Sequence, residues 1–454
     1  MSAGARAATA PGFRTFLLVW AGQLISGVGS GFTSFALGVW VYQKTGSVTG
    51  FALILVAATL PTILLLPVAG ALVDRWDRRR TMLVSDTISA SATLALALLL
   101  YADRLHIVHI YLAAMVYAAC AAFQWPAYSA ATTLLVPKHL LGRAAGMVEF
   151  AYAASGILAP LLAGILIGRI GIPGVMLIDC ATLLAAVATL SVVRFPKPAA
   201  REEADARPSL WTEVRLGVRY VAERPGLTAL MAFFSSINLF SNFNNVLIVP
   251  LVLSFATPAV LGTTLSTGAA GILLGGMVMS TWGGPRRRVR GIVVGAGILG
   301  MSMMVMGLRP WAPLVAAGLF LFNLCMPVVN GCSQTVWQVK VPPELQGRVF
   351  AIRRMIATCT APVCYLVAGP LADRVFAPLL APGGALAGRL GPLLGGTGPG
   401  RGIGLLFMVT GGMCVLVAAT GLLSPRLMRM EDDLPDAVPD ALPEAALEPR
   451  PALA

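Results

Sequence analysis

The sequence predicts an all-α integral membrane protein in which twelve transmembrane helices form two six-helix bundles related by a parallel repeat. Three observations support this fold class: the composition, the spacing of apolar segments, and an eight-residue pattern that occurs twice. Of the 454 residues, 57% are hydrophobic and only 12% are charged. Soluble domains carry about 25% charged residues, so the composition argues against a soluble protein.

Apolar segments of roughly 20 residues, the length that an α-helix needs to cross a bilayer core, recur along the chain. Their approximate bounds are 16–41, 50–73, 81–101, 107–128, 143–168, 174–193, 227–253, 262–282, 290–308, 312–330, 349–376 and 403–423. The first segment is too long for the apolar part of a cleavable signal peptide. We therefore expect it to remain as the first transmembrane helix.

The pattern Val-Pro-x-x-Leu-x-Gly-Arg spans Val136–Arg143 and recurs as Val341–Arg348. A second pair of matching stretches is Gly70–Trp76 and Gly276–Trp282, each followed shortly by three arginines. Six predicted crossings separate the two copies, so both copies lie on the same side of the membrane. The duplication is therefore parallel, which is one of the two repeat plans of secondary transporters.

The net charge of +13 is distributed asymmetrically. If the amino terminus is cytoplasmic, 26 of the 33 Lys and Arg residues fall on the cytoplasmic side. This bias follows the positive-inside rule and places both termini in the cytoplasm. Because topology accounts for the basic charge, we expect no nucleic-acid partner. We expect a monomer that crosses a cell (plasma or inner) membrane many times, with the lipid bilayer as its surroundings.

We expect four parts along the chain. Residues 1–193 form the amino-terminal bundle, 194–226 a cytoplasmic linker, 227–430 the carboxy-terminal bundle, and 431–454 a disordered acidic tail. An amphipathic helix is predicted in the linker from Ser209, either along the inner membrane surface or as a short cytoplasmic helix without lipid contact. The outer loop of about 377–402 is rich in Gly and Pro, and we expect it to be flexible.

Residues Gly70–Arg79 resemble the signature loop between the second and third helices of the major facilitator superfamily. Asp77 stands where the family pattern usually has Gly. We expect a turn with positive φ at this position, which Asp tolerates better than most residues. The resemblance extends over nearly the whole chain and implies the fold of that superfamily.

Two further stretches are similar to one branch of the superfamily. Phe123–Ala127, leading into the first copy of the repeated pattern, and the second copy itself resemble macrolide-efflux and siderophore-exporter proteins among the drug/proton antiporters. Ser155–Gly164 is similar to the antiporter motif, with Ala159 and Ala163 replacing two of its glycines. The resemblance implies secondary-active efflux of a neutral-to-amphipathic small molecule (a drug, macrolide or siderophore-like natural product) by alternating access, coupled to proton influx.

Polar side chains within hydrocarbon are costly unless they face protein or water. In the first and seventh segments, polar residues recur at helical steps of three and four: Gln23, Ser26, Ser30 and Thr33, and Ser235, Asn238, Asn242 and Asn245. We predict that they form two walls of a neutral substrate cavity at the bilayer midplane. The alternative is hydrogen bonding between helices. Gln124 and Asn323 are further candidates for the cavity.

Charged residues near the predicted cytoplasmic helix ends suggest a gate. The resemblance places Asp74 near Arg353 and Arg354, and Glu149, which is equivalent to Arg354 in the repeat, near Arg286–Arg288. We hypothesise two ionic latches that hold the outward-open state; the alternative is that the arginines only anchor the topology. The predicted gate residues are Gly70, Asp74, Arg75, Arg78, Arg143, Arg348, Arg353 and Arg354.

Proton coupling needs a titratable group within the pathway. Asp86, Glu149, Asp179 and Asp373 are the embedded or near-membrane acids, with Asp179 and Asp373 toward outer helix ends, and we select Glu149 as the proton carrier. The alternatives to efflux are a solute/proton symporter that imports its substrate and a non-transporting receptor.

Other classes of function find no support in the sequence. The chain has no Gly-Lys-Ser/Thr and therefore no phosphate-binding loop of an ATPase. Its seven cysteines and three histidines lack the spacing of a metal or catalytic site. We therefore expect no enzyme activity, no cofactor and no metal.

Overall fold

The computed structural model describes residues 11–73, 76–137, 140–193, 215 and 218–437. Within these residues, eleven helices are long and apolar enough to cross a membrane. They are α1 (Pro11–Thr45), α2 (Val48–Val73), α3 (Arg78–Tyr101), α4 (Ile107–Leu135), α5 (Leu141–Val192), α6 (Pro225–Leu253), α7 (Pro258–Trp282), α8 (Arg288–Leu308), α9 (Ala312–Lys340), α10 (Pro343–Pro370) and α11 (Pro399–Leu423).

Helix α5 is twice as long as a single crossing requires. A straight helix of its 52 residues would extend about 78 Å, against a hydrocarbon core of about 30 Å. Gly171 interrupts it with φ 69° and ψ 177°, a combination that only glycine adopts readily. The break divides α5 into a first arm (141–170) and a second arm (172–192).

The packing of α1 shows that the two arms of α5 run in opposite directions. Its glycines meet the arms as follows: Gly27 and Gly31 contact Ser155 and Ala159 of the first arm, and Gly22 and Gly29 contact Thr189 and Thr182 of the second. In the contacts with the first arm, higher residue numbers in α1 meet higher residue numbers in α5, so the two run in the same direction. In the contacts with the second arm, higher numbers in α1 meet lower numbers in α5, so the two run in opposite directions. The helix therefore folds back at Gly171, and the described chain makes the twelve crossings that the sequence predicts.

Local sequence signals define where these helices start. Pro225, Pro258, Pro343 and Pro399 each open a helix, at the position where the missing N–H and fixed φ of proline are tolerated. Asp77 caps α3: its backbone is extended, with φ −67° and ψ 113°. Its side chain accepts a hydrogen bond of 2.9 Å from the amide of the third residue beyond it. The expectation of a positive φ at Asp77 was wrong, because Asp serves here as an N-cap.

Helices α1–α5 form the amino half of the protein and α6–α11 the carboxy half. In the carboxy half, the buried core contains large side chains such as Trp337, Phe407 and Leu247. The outward surfaces of the helices remain apolar, as Leu64, Leu98 and other large aliphatic side chains are exposed there. This distribution suits a protein whose outer surface faces hydrocarbon.

The hydrogen bonds that join the two halves, among the residues described, lie toward the end of the bundle where α1 finishes and α2 begins. Asp373, in a single π-helical turn after α10 (Leu371–Phe376), accepts bonds from Ser47, Val48 and Thr49 at the start of α2. The Ser266 hydroxyl of α7 donates to the carbonyl of Ile157 in α5 at 2.6 Å. The halves are therefore closed together at this end.

A close glycine contact reinforces the same interface. Gly164 of α5 packs against Gly262 of α7, and a Cβ added to Gly164 would lie 2.6 Å from the Pro258 carbonyl oxygen. Only glycine permits the two backbones to approach so closely. At the opposite end of the bundle, no ion pair of the described chain joins the two halves, since the pairs lie within the linker or between the carboxy half and the tail.

The end of the linker and the start of the tail both pack on the carboxy half. Residues 218–222 are helical, Val221 is buried in the core, and the Tyr220 hydroxyl bonds the Lys340 carbonyl at 3.3 Å. Most of the predicted amphipathic helix, including Ser209, lies outside the described residues.

The tail region differs from the expectation of disorder at its beginning. Lys340 is 7% exposed, bonds the carbonyls of Glu431 and Leu434, and pairs with Asp436 at 2.7 Å. The amide of Ala437 also donates to the Val339 carbonyl at 2.8 Å. These contacts fix residues 431–437 to the end of α9, whereas the remainder of the predicted tail lies outside the described residues.

The outer loop also has more structure than its composition suggests. Short helices occupy Ala377–Leu380 and Ala387–Leu390. Arg401 is 4% exposed, and its guanidinium donates to the Leu394 carbonyl at 2.7 Å. Glycines at positive φ, such as Gly395 and Gly398, allow the chain to turn back on itself. The loop is therefore compact: Arg401 ties its end to Leu394, and backbone hydrogen bonds such as that from the Gly398 amide to the Leu380 carbonyl close the rest.

Candidate functional site

A cavity of about 410 Å³ lies inside the amino half, between α1, α3, α4 and both arms of α5. The five cavity residues that the sequence predicts for this half all line it: Gln23, Ser26, Ser30, Thr33 and Gln124. They belong to helices α1 and α4, so the helical spacing of polar residues in α1 did identify a common face. The cavity also contains two carboxylates, from α3 and from the second arm of α5.

The first carboxylate belongs to Asp86, which is 7% exposed. Its two oxygens accept hydrogen bonds from the side-chain amides of Gln23 at 3.1 Å and Gln124 at 2.9 Å. The Gln124 amide also donates to the Gln23 carbonyl oxygen at 3.2 Å. The Gln124 side-chain oxygen is buried and has no hydrogen-bond partner within the described chain.

The second carboxylate belongs to Asp179, which is only 1% exposed. It accepts a hydrogen bond of 2.5 Å from the Thr33 hydroxyl and weaker ones of 3.4 Å from Ser30 and Thr93. The Thr93 hydroxyl in turn bonds the Tyr117 hydroxyl at 2.8 Å. Helices α1, α3, α4 and α5 thus share one hydrogen-bond network around this acid.

The electrostatic character of the cavity follows from these contacts. None of the described residues that line the cavity is a lysine or an arginine, and the hydrogen-bond donors to Asp86 and Asp179 among them are uncharged. Ionisable groups inside a membrane bundle are costly and tend to mark ion or substrate pathways. Aromatic side chains provide the apolar part of the wall: Trp20, Trp125, Tyr128 and Tyr152. The cavity therefore combines two acids with neutral polar and aromatic surfaces.

The predicted second wall in α6 is not part of this cavity. Ser235 and Asn238 donate to backbone carbonyls of α6 itself at 2.8 and 2.9 Å. Asn242 also donates within its own helix, and Asn245 donates to Asn242 at 3.3 Å. Asn323 of α9 is half-buried beside α7. A role for these five residues in the substrate pathway stays a prediction.

The predicted gate residues are distributed between several environments. Asp74 and Arg75 lie outside the described residues, as does the side chain of Arg348, while Gly70 lies within α2. Arg143 is exposed and its guanidinium lies 5.8 Å from the ring centre of Phe13. The structure therefore leaves the latch between Asp74 and α10 untested.

Arg353, the predicted partner of Asp74, is held inside the carboxy half. Its guanidinium donates to the side chains of Gln334 at 2.8 Å and Ser333 at 3.1 Å and lies over the ring of Phe234 at 5.5 Å. Arg354 is exposed.

Glu149, the predicted proton carrier, is exposed on the first arm of α5 and does not line the cavity. Within the described chain it has no ion pair with Arg286–Arg288. Arg287 instead pairs with Asp432 at 3.5 Å, and the Arg288 amide donates to Glu431 at 2.8 Å.

Sequence reasoning named Asp86 and Asp179 among the embedded acids but selected neither. For Asp86 a usable signal exists, since Ser89 and Thr93 follow it at steps of three and four and share its helix face. All three side chains line the cavity. For Asp179 no comparable stripe is present, and its position beside Thr33 depends on how α5 folds back.

Comparison with known proteins places the chain in a family. Residues 19–363 match the family model described as Major Facilitator Superfamily. The chain is 27% identical over 370 residues to macrolide efflux protein A of Streptococcus pyogenes, covering 79% of this chain and 90% of that protein. It is also 27% identical over 371 residues to the multidrug efflux pump Tap of Mycolicibacterium fortuitum, covering 79% and 89%.

Solved structures agree on the fold. A bacterial homologue of the human lysosomal transporter Spinster, in an inward-facing and unoccupied conformation, superposes with a TM-score of 0.69 at 14% identity, covering 95% of this chain and 100% of that one. The nucleoside transporter NupG superposes with a TM-score of 0.67 at 12% identity, covering 92% and 99%. The family match spans most of the chain, and the twelve crossings agree with it. The chain therefore belongs to the major facilitator superfamily and is a multi-pass membrane transporter rather than an enzyme.

Proposed function

We propose that this protein exports a neutral-to-amphipathic small molecule by alternating access, driven by proton influx. The observation that carries the proposal is the cavity of the amino half, which places two carboxylates beside aromatic and neutral polar side chains. Relatives named as macrolide and multidrug efflux proteins support the direction of transport and the class of substrate.

The cavity wall favours a substrate with an apolar body and a few hydrogen-bonding groups. Trp125 and Tyr152 pack edge to face with ring centres 5.5 Å apart, and such rings bury apolar surface well. The unpartnered oxygen of Gln124 accepts a hydrogen bond from a substrate hydroxyl or amine. Since no cationic side chain is among the described residues that line the cavity, a strongly anionic substrate would find no counter-charge from them.

Proton coupling is assigned to Asp86 and Asp179 in place of Glu149. Both aspartates are buried in the cavity wall, whereas Glu149 is exposed and outside it. A carboxyl group that is held by uncharged donors can take up a proton and still keep acceptor sites for those donors. A substrate that donates to Asp86 would compete with that proton, and such competition is what an exchange of substrate for protons requires.

The conformational cycle follows from the contacts between the halves. In this structure Asp373 and the α5–α7 contact close one end, which the charge distribution makes the outer end. We infer that these contacts break in the outward-open state, while the predicted latches of Asp74 and Glu149 form at the cytoplasmic end. Arg287 would then exchange Asp432 for Glu149.

The test uses purified protein in liposomes with a radiolabelled macrolide, the probe that the named relatives suggest. An imposed proton gradient is expected to drive uphill transport by the wild type, and a protonophore is expected to abolish it. Asp86→Asn and Asp179→Asn are expected to lose gradient-driven transport yet to keep exchange of labelled for unlabelled macrolide, because exchange needs no net proton movement. Glu149→Gln should change both rates by the same factor.

Two results would count against the proposal. If both aspartate variants retain gradient-driven transport and Glu149→Gln alone loses it, the proton carrier is Glu149. If cells that express the protein accumulate more macrolide than control cells, transport is inward, and the symporter alternative holds. Unchanged transport in both Asp74→Asn and Glu149→Gln would remove the latch hypothesis.

A further inference from the structure

A second cavity, of about 500 Å³, lies in the carboxy half between α7, α8 and α9. It is separate from the cavity of the amino half, since no described residue lines both. Its walls are mainly apolar: Val278, Trp282, Val294, Ile298, Leu324 and Val328. Arg287 and Arg290 stand at the end where α7 finishes and α8 starts, and both are exposed. We call this site the α8 groove.

The repeat explains why the groove is open in the carboxy half. In the amino half, Trp76 stacks on Phe123 with ring centres 5.9 Å apart and an interplanar angle of 17°. Trp282 is the counterpart of Trp76 in the repeated stretch. Val328 is the counterpart of Phe123, since each stands thirteen residues before its copy of the Val-Pro pair. The smaller valine leaves open the space that the Phe123 ring occupies in the amino half.

The groove opens to the lipid-facing surface of the bundle. Val278, Trp282 and Val294 are 45%, 58% and 48% exposed, and each lies on the outside of a membrane-spanning helix. Gly291 of α8, which has no side chain, also lines the groove. A tryptophan at a helix end is typical of the membrane–water interface. The groove thus runs from the interface, where its arginines are, into the hydrocarbon region.

We propose that the α8 groove binds an anionic phospholipid of the cytoplasmic leaflet, with its phosphate between Arg287 and Arg290 and an acyl chain along the apolar wall. Basic pockets between transmembrane helices on the cytoplasmic side suit acidic headgroups. The proposal rests on the orientation that the charge distribution predicts, and it is independent of the substrate.

Both arginines are exposed where a headgroup would lie. Arg290 has no hydrogen-bond or ion-pair partner in the part of the chain that the structure describes. Arg287 pairs with Asp432 at 3.5 Å, but both side chains are more than 60% exposed. An exposed pair of this kind contributes little to stability. A phosphate that binds both arginines can therefore replace Asp432 as the partner of Arg287. Free inorganic phosphate has no apolar part that could pack against a wall of this size.

The experiment measures lipid binding to the full-length protein in detergent by native mass spectrometry. Phosphatidylglycerol and phosphatidylcholine with the same acyl chains are titrated separately, so that the headgroup charge is the main variable. The wild type is expected to prefer phosphatidylglycerol. An arginine beside an acidic headgroup contributes about 1 kcal/mol, which increases the affinity for an acidic lipid about fivefold. The double variant Arg287→Gln/Arg290→Gln should therefore lose roughly 30-fold of the preference.

Two further variants separate the headgroup from the acyl chain. Val328→Phe fills the groove with the side chain that the amino half has at this position, and it is expected to abolish the tight phosphatidylglycerol site while keeping both arginines. Val363→Phe is the matched control, because Val363 is 55% exposed on α10 and does not line the groove. Arg286→Gln, which removes an adjacent exposed arginine outside the groove, should leave the preference within about threefold, less than the effect of one surface charge.

Three outcomes would overturn the proposal. The first is equal binding of the two lipids by the wild type. The second is displacement of phosphatidylglycerol by millimolar glycerol phosphate together with no effect of Val328→Phe, which would indicate a site for a free anion. The third is displacement by a macrolide with no effect of the arginine variants, which would indicate an entrance for substrate from the membrane.

Discussion

The contact between Asp373 and α2 predicts a measurable shift in the conformational equilibrium. The first N–H groups of a helix have no partner within the helix. The Asp373 carboxylate accepts from the amides of Val48 at 3.0 Å and Thr49 at 2.9 Å, and from the Ser47 hydroxyl at 2.7 Å. Because Asp373 belongs to the carboxy half and α2 to the amino half, we expect these three bonds to exist only while the halves are closed at this end, which the proposed orientation makes the outer end.

The substitution Asp373→Asn keeps the size of the side chain but removes its charge and one acceptor oxygen. A negative charge at a partly buried helix N-terminus contributes up to about 2 kcal/mol. A loss of about 2 kcal/mol corresponds to a change of about 30-fold in the ratio of closed to open outer ends. We therefore expect the variant to populate the state that is open at this end more than the wild type does, by a factor of up to about 30.

The measurement is the distance between spin labels on Arg104→Cys and Arg389→Cys, two exposed outer positions in different halves. The exposed native Cys359 is first replaced by serine. Asp103→Asn is the matched control, since Asp103 lies in the loop between α3 and α4 at the same end but has no bond to the carboxy half in the described chain. An identical distance distribution for Asp373→Asn and the wild type would refute the reasoning.

Two other substitutions test the fold. Gly171→Ala places a Cβ on a residue at φ 69° and ψ 177°, which costs about 1–3 kcal/mol. We therefore expect this variant to have a lower melting temperature in detergent than the wild type. Gly168→Ala is the control and should melt like the wild type, because its added Cβ meets nothing within 4 Å. Equal melting temperatures would contradict the fold-back at Gly171. Lys340→Met removes the donor to Glu431, Leu434 and Asp436. If these contacts together stabilise the bound segment by about 1.4 kcal/mol or more, protease cleavage within 431–437 should become at least about tenfold faster. The exposed Arg426→Met is its control, and equal cleavage rates in both variants would exclude the proposed anchoring.

Features set by the bilayer could be predicted from the sequence. The length of each apolar segment is fixed by the thickness of the hydrocarbon core, so even the break near Gly171 falls within the predicted gap between 168 and 174. The polar face of α1 was also predictable, because its periodicity is local. Gln23 and Thr33 are ten residues apart, close to three helical turns, and this spacing alone gives their side chains a similar direction.

Contacts between distant parts of the chain could not be predicted in the same way. The bond between Thr33 and Asp179 depends on the fold-back of α5, and that between Ser47 and Asp373 depends on how the two halves meet. The prediction for Asp77 was wrong for a different reason. Aspartate is favoured both in turns with positive φ and at helix N-caps, and the sequence did not distinguish them. The exposure of Glu149 likewise depends on how α5 is rotated about the helix axis. The charge of Glu149 alone does not determine that rotation.

The bond between Arg79 and the end of α5 has a mechanical consequence. The Arg79 side chain donates to the carbonyl of Leu190 at 2.6 Å and to the carbonyl of Ser191. These are among the last acceptors of the helix from which the connection to the carboxy half departs. The start of α3 and the last turn of the second arm of α5 are therefore fastened together. We expect a displacement of the signature loop to carry the end of α5 with it, so that the two elements move as one body.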